Sequence, residues 1–294
     1  MTKRFHPRYF RLLLFVAATL FAGAWQARAG DVVELLTNMD YPPYIDDTLP
    51  GGGLHTEIIQ AAFTAAGAEL KIRVMPWKRI TRELEEGRAT GSFTWALTPE
   101  RRENFIVSAP VFYSEAIFFT RLDDFTGAAD IQTRADQGKQ TVLCKPLGWT
   151  MPSFALPLLE SGALQVVQPP RLRFCFELML AGRADFVDVP TLSAWYALQA
   201  IMGEATDPEA VRVRIKVVHD PDAEGGTSHV LFVKSPNGKR ANALFAKGMQ
   251  LIGQNGTLRA IVDRHLQPYP HANKEALIAG LRRAGVLLDR DTAN

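Results

Sequence analysis

Acidic residues are absent from the first 29 positions, which hold five of the 33 lysines and arginines and none of the 31 aspartates and glutamates. There Lys3, Arg4, Arg8 and Arg11 run into an apolar stretch over residues 12–24, and Ala27 and Ala29 put small side chains where a signal peptidase reads. This is the pattern of a cleaved secretory signal over residues 1–29, with Gly30 as the new N-terminus. A membrane anchor is the alternative, but the apolar stretch falls short of the ~20 residues a spanning helix needs, and Gly23 interrupts it. No cysteine stands near the cut, which excludes lipid attachment there. No later run is long and apolar enough to cross a bilayer, so a soluble periplasmic product is expected.

An excess of positive charge is missing too once that segment is removed. Taking five from 33 leaves 28 basic residues against 31 acidic ones, a net charge of −3. That balance carries no nucleic-acid footprint and no polybasic membrane patch. Cysteine is scarce: Cys144 and Cys175 are the two in the chain, and the six histidines are scattered. A zinc site wants three or four clustered ligands, so no metal is expected. In an oxidising compartment the two cysteines are expected to pair, two buried free thiols being the alternative.

Apolar spacing places a buried strand over residues 32–36, followed by a loop over 37–53 rich in Pro, Asp and Gly. Leu54, Ile58, Ile59, Ala62 and Phe63 recur at helical spacing up to the stop at Gly67. Leu70, Ile72 and Val74 alternate as a strand does, and Pro76 opens a helix that ends at Gly87. Further strands are expected over 92–95, 115–120, 141–144, 164–167, 185–189, 215–218 and 228–233, and helices over 152–160, 172–181, 191–202 and 239–254. Strand and helix in alternation imply α/β architecture with parallel sheets. Polar segments at residues 121–127 and 220–226 read as two connections between lobes. The first lobe then comprises residues 30–121 and 227–266, and the second, residues 122–226, is inserted between them. Residues 267–294 form a C-terminal extension with helical spacing through Leu277, Ile278, Leu281 and Val286.

Several short motifs occur in a telling order. Tyr41-Pro42-Pro43-Tyr44 follows the first strand, Pro76-Trp77 opens the second helix, and Thr98-Pro99-Glu100-Arg101 precedes Ser108-Ala109-Pro110. Gly148-Trp149-Thr150, Gly182-Arg183-Ala184-Asp185 and Ile261-Val262-Asp263-Arg264-His265-Leu266 complete the series. In this order and spacing the chain resembles the periplasmic polar amino-acid-binding proteins of ABC importers, solute-binding family 3, over most of residues 31–266. The resemblance implies a two-lobed periplasmic-binding-protein fold of type II, with two doubly wound sheets joined by two hinge connections. It further implies a monomer that binds a small molecule without a cofactor and hands it to an ABC permease in the inner membrane.

The resemblance also implies roles for particular residues. Arg101 matches the position that receives a ligand carboxylate, a task suited to the planar fork of guanidinium donors. By itself Arg101 reads as an exposed ion pair with Glu100 or Glu103. Tyr41 and Trp77 stand where apolar or aromatic faces bracket the ligand, or else pack the core, and Tyr44 of the same motif as Tyr41 is expected among the ligand-binding residues. Asn38 and Thr94 match polar contacts, and Trp95 either lines the site or fills the core. Gly148 and Thr150 match a turn leading into a helix, whose N–H groups favour an anion. Trp149 stacks on the ligand or covers that turn.

Two departures bear on the ligand. Ala96 stands where a serine is common, and Pro190 stands where the family carries the aspartate that pairs with an α-ammonium. Asp188 is the nearest substitute, or else it caps the helix beginning near residue 191. An amino acid or a related carboxylate is the expected ligand, bound by hinge closure with no bond broken. The alternatives are a sensory module and a periplasmic enzyme of the dehydratase type on the same fold. Glu57, Asp188 and His55 are the only acid–base candidates near the site, and none lies in a catalytic motif.

Overall fold

The computed structural model describes residues 31–115, 117–219, 226–270 and 272–287. The segment expected to be a leader, with its expected cleavage site, and most of the second polar connection lie outside the described residues.

The first strand, β1 (Asp31–Thr37), buries Leu35 and Leu36 completely, as an interior strand should. After the loop, α1 (Leu54–Ala65) turns Ile58, Ile59, Ala62 and Phe63 inward. β2 (Ala68–Val74) follows, and α2 (Trp77–Glu85) starts directly after Pro76. Beyond β3 (Gly91–Ala96), the Thr98 hydroxyl accepts the Arg101 N–H at 3.2 Å and opens the short helix α3 (Pro99–Asn104). β4 (Ile106–Val107) and β5 (Phe112–Ser114) complete this part of the chain.

The middle of the chain alternates strand and helix. In order these are β6 (Ile117–Thr120), α4 (Ala129–Asp136), β7 (Thr141–Cys144), α5 (Ala155–Glu160) and β8 (Leu164–Val167). Then come α6 (Leu172–Leu180), β9 (Phe186–Asp188), α7 (Thr191–Glu204), α8 (Pro208–Arg212) and β10 (Lys216–His219). The chain closes with β11 (Gly226–Phe232), α9 (Pro236–Gln254), α10 (Thr257–Leu266) and α11 (Lys274–Arg283).

Two sheets result. The first runs β2-β1-β3-β11-β4, with β5 also on β11, and the second runs β10-β6-β9-β7-β8. Both are mixed, which corrects the expectation of parallel sheets: β11 lies antiparallel to β3, β4 and β5, and β6 lies antiparallel to β9 and β10. Strand β6 therefore belongs to the second sheet. The chain first passes between sheets at residues 114–117, ahead of the polar segment 121–127 where the sequence placed the crossing. It returns between His219 and Gly226.

Helices α1 and α2 pack on the first sheet, with Ile80 and Leu84 of α2 meeting Leu36, Trp95 and Leu231. In the second, Phe118, Phe125 and Phe186 form an aromatic cluster beneath α4 and α5. Cys144 at the end of β7 and Cys175 in α6 form a disulfide with Cα atoms 5.3 Å apart. The C-terminal helix α11 packs on β5, where Gly280 meets the Tyr113 ring so closely that an added Cβ would lie 2.2 Å from it.

Candidate functional site

A cavity of about 770 Å³ opens between the two sheets, lined by residues from both. Eight of the eleven positions expected to bind ligand contribute to its wall: Tyr41, Trp77, Thr94, Trp95, Gly148, Trp149, Thr150 and Asp188. Chain segments far apart in sequence meet here because the βα turns of each sheet converge on it.

Tyr41 begins a tight turn closed by paired N–H to carbonyl bonds between Tyr41 and Ile45 at 3.1 and 2.9 Å. That turn sets the Tyr41 ring edge-on to Trp149, 4.5 Å between centroids, so a residue of the first lobe touches one of the second. Burial raises the Tyr41 hydroxyl's pKa, and the neighbouring Asp188 charge adds to the shift, so the phenol stays protonated. Ser193, at the start of α7, donates to the Pro42 carbonyl at 2.8 Å and makes a second contact between the lobes.

Trp77 and Trp95 meet edge to face at 4.9 Å, and the Trp95 N–H is satisfied by Ser92 Oγ at 2.8 Å. Between Phe93 and Trp95 the pairing of β3 with β11 slips by one residue, which leaves Thr94 unpaired. Thr94 has φ +69°, a left-handed conformation that a β-branched residue adopts only under constraint. Behind it His55 is fully buried, its Nδ1 3.0 Å from Thr94 Oγ1. The bulge and the imidazole together aim Thr94 into the cavity, a role for His55 that the sequence did not disclose.

Arg101 stands at the rim rather than in the wall. Its Nη1 donates to the Ala96 carbonyl at 2.6 Å and reaches Thr150 Oγ1 at 3.5 Å, and its guanidinium lies 4.7 Å from the Trp95 ring centroid. Ala96 and Thr150 both line the cavity, so the guanidinium borders it. The other reading of Arg101, an ion pair with Glu100 or Glu103, is not what its side chain forms: Ala96 and Thr150 are its partners.

Three expectations are corrected. Asn38 lies outside the cavity wall and donates to the Met75 carbonyl at 3.3 Å, which ties the loop after β1 to the end of β2. Tyr44 is 1% exposed and packs between His55 and Phe112, so it serves the core. Gly148 and Thr150 sit in a turn well before α5, which begins only at Ala155 and has six residues, so no helix N-terminus aims at them.

Asp188 proves to be neither a free counter-charge nor a cap. Lys145, which follows β7, donates to the Asp188 carboxylate at 2.9 Å and to its carbonyl at 2.6 Å, while α7 begins after Pro190 with no side-chain cap. Lys145 is 6% exposed. Its only sequence signal was a lysine directly after an apolar strand. Glu115 was also overlooked: it lines the cavity at the passage between sheets, where burial raises its pKa. Of the acid–base candidates, Glu57 is outside the cavity, bonded to Arg264 and to His265 Nε2, the latter at 2.7 Å. His55 is held near pKa 3, first by burial and then by the charge of His265. Among the described residues, no group of three or more His, Cys, Asp or Glu is placed to hold a metal ion.

A model of the bacterial extracellular solute-binding proteins, family 3, matches residues 33–268. No curated protein matches the chain. Among solved structures, a protein from work on glutathione import through GshT and the cystine ABC importer TcyBC of Streptococcus mutans is 18% identical. Its TM-score is 0.63, covering 81% of this chain and 95% of that one. The amino acid ABC transporter substrate-binding protein AbpA of Streptococcus pneumoniae, bound to L-arginine, is 16% identical with a TM-score of 0.61, covering 80% and 94%. An ancestral amino-acid-binding protein described as a precursor of cyclohexadienyl dehydratase is 15% identical with a TM-score of 0.60, covering 80% and 96%. At these identities the likeness is one of fold, and the fold is the two-lobed type II arrangement.

Proposed function

The chain belongs to the bacterial extracellular solute-binding proteins of family 3, and from that premise we propose that it is an exported protein that captures a small polar solute between its lobes for an ABC importer. The solute is an amino acid or a related carboxylate. The observation that carries this reading is the cavity between the two sheets, walled by Tyr41, Trp77 and Trp95 from one side and Trp149 and Thr150 from the other. A site assembled from two lobes binds by closing, since neither half alone surrounds the ligand.

Arg101 is the proposed carboxylate clamp. A guanidinium carries five donors, and among the described residues only Nη1 is bonded, to Ala96 and Thr150 at the cavity's edge. The connections at residues 114–117 and 219–226 are the proposed hinge.

A thermal-shift screen of the processed chain against amino acids and small carboxylates tests the reading. A ligand at ~100 times its dissociation constant stabilises by about 2.7 kcal/mol and should raise the midpoint by roughly 5 to 10 °C. For the best probe, Arg101→Ala should weaken binding by roughly 30-fold or more, as expected when a hydrogen-bonded charge loses its partner in a closed site. Retained affinity in that variant would remove the clamp. Sequencing of the product from the periplasmic fraction should begin at Gly30, whereas recovery of Met1 would remove the exported reading.

A further inference from the structure

Strand β11 brings Thr227 into the cavity wall directly after the chain returns from the second sheet. Two residues on, His229 shares a face of the strand with Thr227 and is buried. Its Nδ1 lies 2.9 Å from the Ser108 carbonyl and its Nε2 lies 2.7 Å from Thr227 Oγ1. A carbonyl oxygen can only accept, so Nδ1 carries the proton. Burial lowers the pKa of the ring, the Ser108 bond opposes that shift and the Arg102 charge adds to it, so at neutral pH the ring holds that one proton. Nε2 is then bare, and the Thr227 hydroxyl donates to it. Ser108 is fixed in turn, its hydroxyl donating to the Ala109 carbonyl at 2.6 Å and accepting the Val230 N–H at 2.9 Å.

We propose that His229 is a positioning residue that makes the Thr227 hydroxyl an acceptor toward the cavity, so that the site selects a carboxylate bearing a neutral hydrogen-bond donor, a hydroxyl or an amide N–H. This rests on the binding function proposed above. A threonine hydroxyl that can rotate donates or accepts as its partner requires. With its proton committed to Nε2, Thr227 has lone pairs alone to offer. A solute group made only of acceptors, such as a second carboxylate, meets lone pair against lone pair there, and an apolar group leaves the oxygen unpaired in a closed site. The contact therefore discriminates by what it refuses as well as by what it holds. The Arg102 charge that acts on the ring also weighs against a cationic donor, which leaves the neutral ones.

Two measurements test this. Long-range proton–nitrogen NMR correlation of the imidazoles should show His229 protonated at Nδ1 and bare at Nε2, and the reverse tautomer overturns the assignment whatever the protein binds. Matched probes that differ in one neutral donor then test the contact: L-serine against L-alanine, L-lactate against propionate, L-malate against succinate, and L-glutamine against its methyl-ketone isostere. Each is offered to the processed chain by thermal shift and then by calorimetry. At least one donor-bearing probe should bind about tenfold or more tighter than its partner. Thr227→Val should abolish that ratio and Thr227→Ser should keep it. His229→Asn retains an N–H for Ser108 but removes the acceptor at Nε2, so it should shrink the ratio in the parent and change nothing further in Thr227→Val. Equal binding within every pair, or a ratio that survives Thr227→Val, overturns the assignment and leaves the binding function standing. A loss from His229→Asn that is as large in Thr227→Val as in the parent overturns the positioning role. Silence of every probe overturns the capture of a small carboxylate and this assignment with it. If His229→Asn does not fold, the tautomer and the Thr227 variants decide.

Discussion

His55 illustrates how one buried side chain ties the site to the pH dependence of the whole fold. Burial lowers its pKa from 6.5 to about 3, so the folded protein keeps the ring neutral between those values while the unfolded chain binds a proton there. The unfolded state holds more protons in that window, and stability therefore rises with pH from about 3 to about 6.5. This group alone contributes a slope of up to about 1.4 kcal/mol per unit. Denaturant titrations at pH 7 and pH 5 should show the loss, and His55→Asn should reduce it. An equal slope in that variant would assign the effect elsewhere. The Lys145–Asp188 pair makes a second residue-scale prediction. Lys145→Met strands a buried carboxylate and should cost about 3 to 5 kcal/mol, whereas Lys145→Met with Asp188→Asn should recover much of it. Additive losses in a double-mutant cycle would show that the two do not act as a unit.

Elements set what those side chains can do. The slip between β3 and β11 is what turns Thr94 toward the cavity, and no local propensity for a left-handed threonine exists to signal it. The disulfide joins the end of β7 to α6 across 31 residues, and a loop of that size implies about 3 to 4 kcal/mol by the chain-entropy estimate. Cys144→Ala with Cys175→Ala should lower the denaturation free energy by that order, and an unchanged midpoint would make the bond incidental. At α11 the close approach of Gly280 to Tyr113 leaves no room for a methyl group. Gly280→Ala should cost about 1 to 3 kcal/mol by overpacking. A variant as stable as the parent would show that the C-terminal helix sits loosely on β5.

At the scale of the molecule, Tyr41 against Trp149, Ser193 on Pro42 and Arg101 near Thr150 bring the lobes together around the cavity. Small-angle scattering should show a smaller radius of gyration when an amino acid that passes the thermal screen is added. Superimposable profiles would mean that binding proceeds without closure. Much of this arrangement was legible before any coordinates. The strands over residues 141–144 and 164–167 have the bounds their apolar residues and turn signals imply, and Gly67 and Gly87 end the helices before them. The order of motifs led to the family. The short strands β4 and β5 and the helix α4 were not legible, because they are too brief or too polar to show a period.

By itself the sequence determined most of the α/β elements, the family and eight positions of the cavity wall, since periodicity, turn residues and motif spacing are properties of near neighbours along the chain. Tertiary structure alone decided which sheet holds β6, that Lys145 occupies Asp188, and that Glu115 lies in the cavity wall. Each depends on a partner far away in sequence, 43 residues in the case of Lys145 and Asp188. Whether a charge is neutralised is settled by what folding places within a few ångströms of it, and that distance is written nowhere in the local pattern.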